Sequence, residues 1–279
     1  MQGKIIKILS NDYTVLSNNK IYLCKARGKF RNMQLTPVVG DEIIFDVEKK
    51  YIIEILPRKN CLVRPPVSNI DICVVVTSLK DPLFSSNLLD KLLTIIEFNN
   101  IKPVICFTKL DLLSNEELKQ FNEIFKYYKK IGYEVYENLH LDEFKKIFEN
   151  KIVVFTGQSG AGKSSLLNKL DSSLNLKTDD ISYALNRGKH TTRYVELMSL
   201  LSGFVADTPG FSAVNFDDMQ QSDIRDNFIE FNEYKEFCKY RDCMHEKEND
   251  CEIKRQVESG NILRTRYENY LKFIHKERY

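Results

Sequence analysis

The sequence predicts a multidomain α/β protein. A small N-terminal β-barrel leads into a domain built on a mainly parallel sheet, and a C-terminal helical module closed by a metal follows. Three observations predict it. Short β-prone runs separated by turn signals fill the first 63 residues. From residue 71 onward, buried strand-like runs alternate with helical patterns, the mark of a sheet with helices on both faces. Near the C-terminus three cysteines and a histidine crowd into 14 residues.

Composition sets the bounds. Of 279 residues, 43% are hydrophobic and 29% charged, which excludes wholesale disorder. No apolar run approaches the roughly 20 residues of a membrane span. The opening MQGKIIKILSNDYTV lacks a signal-peptide apolar core, so a soluble cytoplasmic protein without a membrane partner is expected. The net charge of +2 hides an asymmetry: residues 1–60 carry 11 Lys/Arg against 6 Asp/Glu, and residues 254–279 carry 7 against 3. Basic ends around an acidic middle suit a polyanion such as RNA. Seven cysteines, an odd number, argue against a disulfide framework. Cys24, Cys61, Cys73 and Cys106 lie among apolar neighbours and read as small buried hydrophobes.

The elements follow in order. KIIKIL, YTVL, KIYLCKA, DEIIFDV and YIIEILP are five short strands, and their size and basic charge suit an OB-type barrel. RPPVSNID breaks the pattern, placing the first domain at 1–66. IDICVVVTS is an almost continuous apolar run, as in a strand covered on both faces. NLLDKLLTIIEFN has helical spacing, and PVICFTK is a strand again. SNEELKQFNEIFKYYKKIG is an amphipathic helix with Ser114 and Glu117 placed as a capping box. KIVVFTG is a buried strand, KSSLLNKL a helix, and LSGFVADTPG a strand ending in a loop. The second domain is set at 67–217 and the third at 218–279, with helices across SDIRDNFIEFNEYKEF and near 254–275.

GQSGAGKS at 157–164 matches the phosphate-binding pattern G-x-x-x-x-G-K-[ST]. Gly157, Gln158, Ser159, Gly160, Ala161 and Gly162 would turn backbone N–H groups onto phosphate oxygens, helped by the helix start that Ser165 continues. Lys163 would reach the β- and γ-phosphates and Ser164 would ligate Mg²⁺. Downstream, DTPG ends a strand. There Asp207 would hold the Mg²⁺ shell and Gly210 would meet the γ-phosphate. Thr108, Lys109, Leu110 and Asp111 form TKLD, similar to the guanine-reading N/T-K-x-D motif. An Asp carboxylate can accept from both N1–H and the 2-amino group of guanine, donors that adenine lacks, and the Lys109 stem would lie over the base plane. TKLD ends 46 residues before Gly157, whereas ordinary GTPases carry this motif after the phosphate loop. Either TKLD is an accident or the fold is circularly permuted. The two buried strands before the loop, otherwise without a sheet, favour permutation.

Cys238, Cys243, His245 and Cys251 form C-x₄-C-x-H-x₅-C, three thiolates and one imidazole that make a closed set for one structural Zn²⁺. Such an ion would staple a module too small for a secure core.

The order TKLD, GQSGAGKSS, GKHTTR, DTPGF resembles the circularly permuted GTPases of the RsgA (YjeQ/YloQ) family, along the whole chain. The resemblance implies an OB barrel, a permuted GTPase domain and a zinc domain with this same ligand arrangement. It also implies GTP hydrolysis to GDP with Mg²⁺, and a role with rRNA in late maturation of the small ribosomal subunit. GKHTTR stands at the family's switch I, where Thr191 or Thr192 would close on Mg²⁺; Thr192 is taken as the ligand. Two departures carry consequences. Thr108 replaces the more usual Asn and removes an amide able to brace the loop and accept from the base, so lower affinity is expected while Asp111 keeps guanine selectivity. Phe211 stands where Ras-like GTPases place the water-orienting Gln, so slow intrinsic turnover is expected, with His190 the candidate for positioning water. The last base-contacting loop falls near VYENLH at 135–140 and has no assignment.

In the barrel, Arg27, Lys29 and Arg31 beside Phe30 offer phosphate contacts with an aromatic for stacking. A monomer that binds no DNA is expected. Two other classes compete: a P-loop ATPase or small-molecule kinase with TKLD fortuitous, and an RNA-binding module switched by GTP with negligible turnover.

Overall fold

A computed structural model describes residues 1–26, 28, 30, 35–63, 66–139, 141–174, 196–206 and 215–276. Strands β1 (Gln2–Leu9), β2 (Asp12–Ser17), β3 (Lys20–Ala26), β4 (Glu42–Asp46) and β5 (Tyr51–Ile55) close into a barrel in the order β1-β2-β3-β5-β4. All neighbours are antiparallel except β3 and β5, which pair in parallel at Lys25–Tyr51 and Ala26–Ile52. Alternation drives closure: Tyr13 and Val15 on β2, and Ile43 and Phe45 on β4, point inward with Ile5 and Ile52.

A hairpin follows, β6 (Cys61–Val63) with β7 (Pro66–Ser68), and the expected 66/67 boundary falls inside it. It is tied back to the barrel by a bridge between Val39 and Val67. Buried Asp41 accepts from Ser68 Oγ at 2.6 Å, from the Val38 N–H at 2.8 Å, and from Arg58 Nε and Nη2 at 2.6 and 2.8 Å. Cys61, expected to be buried, is only half-buried, because its strand lies at the margin beside the Arg58 guanidinium.

The central sheet holds β8 (Ile72–Ser78), β9 (Lys102–Thr108), β10 (Glu134–Glu137), β11 (Ile152–Thr156), β12 (Leu197–Leu200) and β13 (Gly203–Ala206). Among the described residues its order is β10-β9-β8-β11-β13-β12, parallel throughout except β12, which runs antiparallel to β13. Every residue of β8 and β11 is buried, because helices cover both faces. On one face Cys73 and Val75 pack under α1 (Ser86–Phe98) and α2 (Asn115–Lys130). On the other, Ile72, Val74 and Val76 meet Phe144 of α3 (Leu141–Lys146) and Leu166 and Leu167 of α4 (Lys163–Leu170). Helix α2 starts with the expected capping box: Ser114 Oγ accepts from the Glu117 N–H, and the Glu117 carboxylate accepts from the Ser114 N–H at 2.7 Å.

The C-terminal module differs from the expected pair of long helices. Helix α5 (Gln221–Asp226) stops where the Asn227 side chain donates back to the Asp223 carbonyl at 2.7 Å, and short 3₁₀ turns at Ile229–Glu233 and Lys235–Phe237 follow. The last helix is two, α6 (Glu252–Glu258) and α7 (Arg264–Ile274), parted at Gly260, whose φ of +78° ends a helix without cost to a Cβ. Phe228, Phe231, Tyr270 and Phe273 fill the module's core, and Ile95 of α1 enters it. The barrel touches the far end of the sheet: Lys7 of β1 bridges Glu196, just before β12, with an ion pair of 2.7 Å. No helix among the described residues is long and apolar enough to cross a membrane.

Candidate nucleotide site and metal centre

Parallel strands deliver their C-terminal ends to one rim of the sheet, where crevices open. β8 lies between β9 and β11, so TKLD at the end of β9 and the loop after β11 share that rim. Gly157 opens the loop at φ +133°. A Cβ there would lie 2.0 Å from the Val76 carbonyl oxygen, so only glycine lets the loop leave so close to β8. Gln158, Ser159 and Gly160 are exposed, Ala161 is fully buried, and α4 begins at Lys163 after Gly162. Lys163 Nζ curls over the loop and donates to the Gly157 and Gln158 carbonyls, each at 2.9 Å. Burial pulls its pKa down. Ser164 is buried in the first turn of α4, and Ser165 is exposed.

The base-reading candidate is tied directly to this loop. Buried Thr108 donates its hydroxyl to the Ala161 carbonyl at 2.6 Å. The brace expected to be lost with Asn is therefore supplied by the shorter side chain, because β9 brings Thr108 within hydroxyl reach. Lys109 is left-handed at φ 61°, and its Nζ donates to the Asp81 carbonyl in the loop between β8 and α1. Leu110 is buried and anchors a 3₁₀ turn over Leu110–Leu112; Asp111, on the same turn, is exposed. Asn138, within the unassigned VYENLH, prolongs β10 by donating its N–H to the Phe107 carbonyl at 3.0 Å. His190, Thr191, Thr192, Asp207, Gly210 and Phe211 lie outside the described residues, as do Arg27, Lys29 and Arg31; Phe30 is buried in the barrel.

The ligand atoms of Cys238, Cys243, His245 and Cys251 all lie within 4.8 Å of one another. His245 Nδ1 is 3.6 Å from the Cys238 sulfur and 3.4 Å from that of Cys251. Tetrahedral zinc, with bonds of about 2.3 Å to sulfur and 2.0–2.1 Å to nitrogen, would separate S from N by about 3.6 Å. The donor set and its spacing fit that ion. His245 sits at φ 60°, a conformation held from several sides. Tyr267 donates to its carbonyl at 2.6 Å and Tyr270 to that of Met244 at 2.5 Å, while the Glu248 carboxylate accepts from the Met244 and Glu246 N–H groups.

Residues 55–217 match the family described as RsgA GTPase, and residues 2–52 match the RsgA N-terminal domain. A protein of Enterococcus faecalis named small ribosomal subunit biogenesis GTPase RsgA is 49% identical over 98% of this chain and 94% of its own. The chain belongs to the RsgA family. A second relative, RsgA 2 of Listeria monocytogenes, is 47% identical over 98% of this chain and 96% of its own. The crystal structure of YloQ, a circularly permuted GTPase, superposes with a TM-score of 0.84 at 37% identity, covering 100% of this chain and 96% of that one. That of YjeQ from Thermotoga maritima gives 0.86 at 32%, covering 98% and 97%. The circularly permuted GTPase fold expected from the sequence is therefore the fold of this family.

Sequence reasoning missed what fastens the C-terminal module of this RsgA chain to its GTPase domain. Arg266 of α7 is fully buried. It donates to Asp90 of α1 at 2.6 Å and to both Glu230 oxygens at 2.5 and 3.0 Å, among the rings of Tyr128, Tyr133 and Phe228. Tyr128 and Asn269 complete the Asp90 carboxylate at 2.6 and 2.7 Å. A signal was present: Arg266 falls in the helical register of buried Ile262, Tyr270 and Phe273, where an apolar side chain belongs.

Proposed function

We propose that this RsgA-family chain binds GTP with Mg²⁺ on the 157–165 loop and TKLD, and hydrolyses it to GDP and phosphate. It does so as a cytoplasmic monomer in late maturation of the small ribosomal subunit. The observation that carries the reading is the Thr108–Ala161 hydrogen bond, which couples the base-reading segment to the phosphate loop. The names of the relatives support the ribosomal role. Lys163 would exchange its carbonyl partners for phosphate oxygens, and Asp111 would read guanine. Ser164, Thr192 and Asp207, with Gly210 at the γ-phosphate, would hold the ion, which neutralises phosphate charge. His190 would position water. A His190→Ala protein with the parent's subunit-stimulated rate would remove that role. The units 1–66 and 218–279, basic at the two chain ends, would face rRNA rather than DNA.

Steady-state phosphate release from GTP and ATP, with and without purified small ribosomal subunits, tests the whole. GTP-selective turnover, slow alone and strongly stimulated by subunits, is expected. Equal turnover of ATP would overturn guanine reading. Binding without turnover would leave the GTP-switched module that Phe211 in place of Gln keeps in play. For the metal, the parent is expected to carry one zinc per chain and Cys243→Ser to lose it; unchanged zinc content would refute the site.

A further inference from the structure

The loop between β8 and α1 is fastened to TKLD at two points. Its Leu79 N–H donates to the Thr108 carbonyl at 3.2 Å. The Asp81 carbonyl holds the Lys109 ammonium, and Pro82 lies 3.6 Å from where a Cβ on Gly160 would stand. The loop is itself bolted in place. Ser78 Oγ donates to the Lys80 carbonyl at 2.6 Å, and Lys80 Nζ reaches both carboxylate oxygens of Glu117 at 3.2 Å. Glu117 in turn caps the start of α2, the helix that follows TKLD. Lys80 and Glu117 thus tie the loop to α2, while Lys109 ties it to TKLD.

A lysine stem is among the most mobile side chains, and fixing it removes entropy that binding would otherwise have to remove. With its ammonium already seated on the Asp81 carbonyl, the Lys109 side chain is held at both ends, by its own backbone and by the loop. We propose that the Lys80–Glu117 pair is a positioning device for guanine recognition: it fixes the Asp81 carbonyl, which holds Lys109 ready for the base. The inference rests on the reading of TKLD as the base-reading segment. Lys80 and Glu117 touch no nucleotide in this account; they act through Asp81 and Lys109.

The test compares the parent chain with Glu117→Gln and Lys80→Met. Gln keeps the cap at this position, so Glu117→Gln removes the charge pair without unwinding α2. Affinities for GTP, ATP and inorganic tripolyphosphate are measured by competition, with kcat and KM for GTP and the unfolding midpoint. Both variants are expected to raise KM and the GTP dissociation constant roughly two- to fivefold, the range an exposed ion pair supports. Tripolyphosphate affinity, kcat and the unfolding midpoint are expected to hold, and Lys80→Arg to restore GTP affinity. GTP affinity unchanged in both variants would overturn the positioning role. So would a parallel loss of tripolyphosphate affinity, which would mean a general disturbance of the phosphate loop. A parent without preference for GTP over ATP would overturn the TKLD reading and this inference together. A parent preference that persists undiminished in the variants would overturn this inference alone.

Discussion

The two junctions of the central domain are built on the same chemistry and differ in depth. On the barrel side one buried carboxylate, Asp41, meets Arg58, whose side chain keeps 19% of its exposure, and every partner lies between residues 38 and 68. On the C-terminal side Asp90, Glu230 and Arg266 are all 2% exposed or less and come from three distant stretches of chain. The first junction fastens a linker that the chain must cross anyway. The second pins the C-terminal core to the central domain, and Ile95 of α1 packs into that core as well. Depth decides the cost of breaking each, because an unpaired charge is tolerated in proportion to the water that can reach it.

The largest effect should come from Arg266→Met, which strands two buried carboxylates. A loss of about 3–5 kcal/mol is expected, read from the urea unfolding midpoint, with the GTPase domain and the zinc module failing together. Adding Asp90→Asn and Glu230→Gln to that variant should recover much of it, since an apolar or neutral replacement of a whole buried network is far less costly than half of one. Arg58→Met should lose about 1–3 kcal/mol, because Asp41 retains the Ser68 hydroxyl and the Val38 N–H. A cost equal to that of Arg266→Met would show that depth does not set the cost of unpairing a carboxylate here. The smallest effect belongs to Lys7→Ala, which breaks a half-buried pair with Glu196; below about 1 kcal/mol is expected, shrinking further in high salt.

What could be read from the residues was what is local. The barrel strands show alternation, the phosphate loop and the Cys/His set show fixed spacing, and the α2 capping box needs only Ser114 and Glu117. What escaped depends on contacts far apart in sequence. Thr108 looked like a lost brace because the residue it reaches, Ala161, lies 53 positions away. Arg266 looked like part of a basic end until the fold placed Asp90, 176 positions earlier, against it. The stretch 222–237 reads as one helix from its sequence, yet Asn227 closes it with a local side-chain bond that the pattern cannot register.

The Lys7–Glu196 bridge has a bearing on colloidal behaviour as well as on assembly. A sheet ends in strands whose outer N–H and C=O groups invite pairing with another molecule. Among the described residues, one terminal strand of the central sheet, β10, is four residues long with a glutamate at each end. At the other, β12, the barrel's first strand meets the chain just ahead of it. The barrel thus acts as a guard on the rim of the sheet. A chain in which it is displaced would offer that rim as a template for self-association.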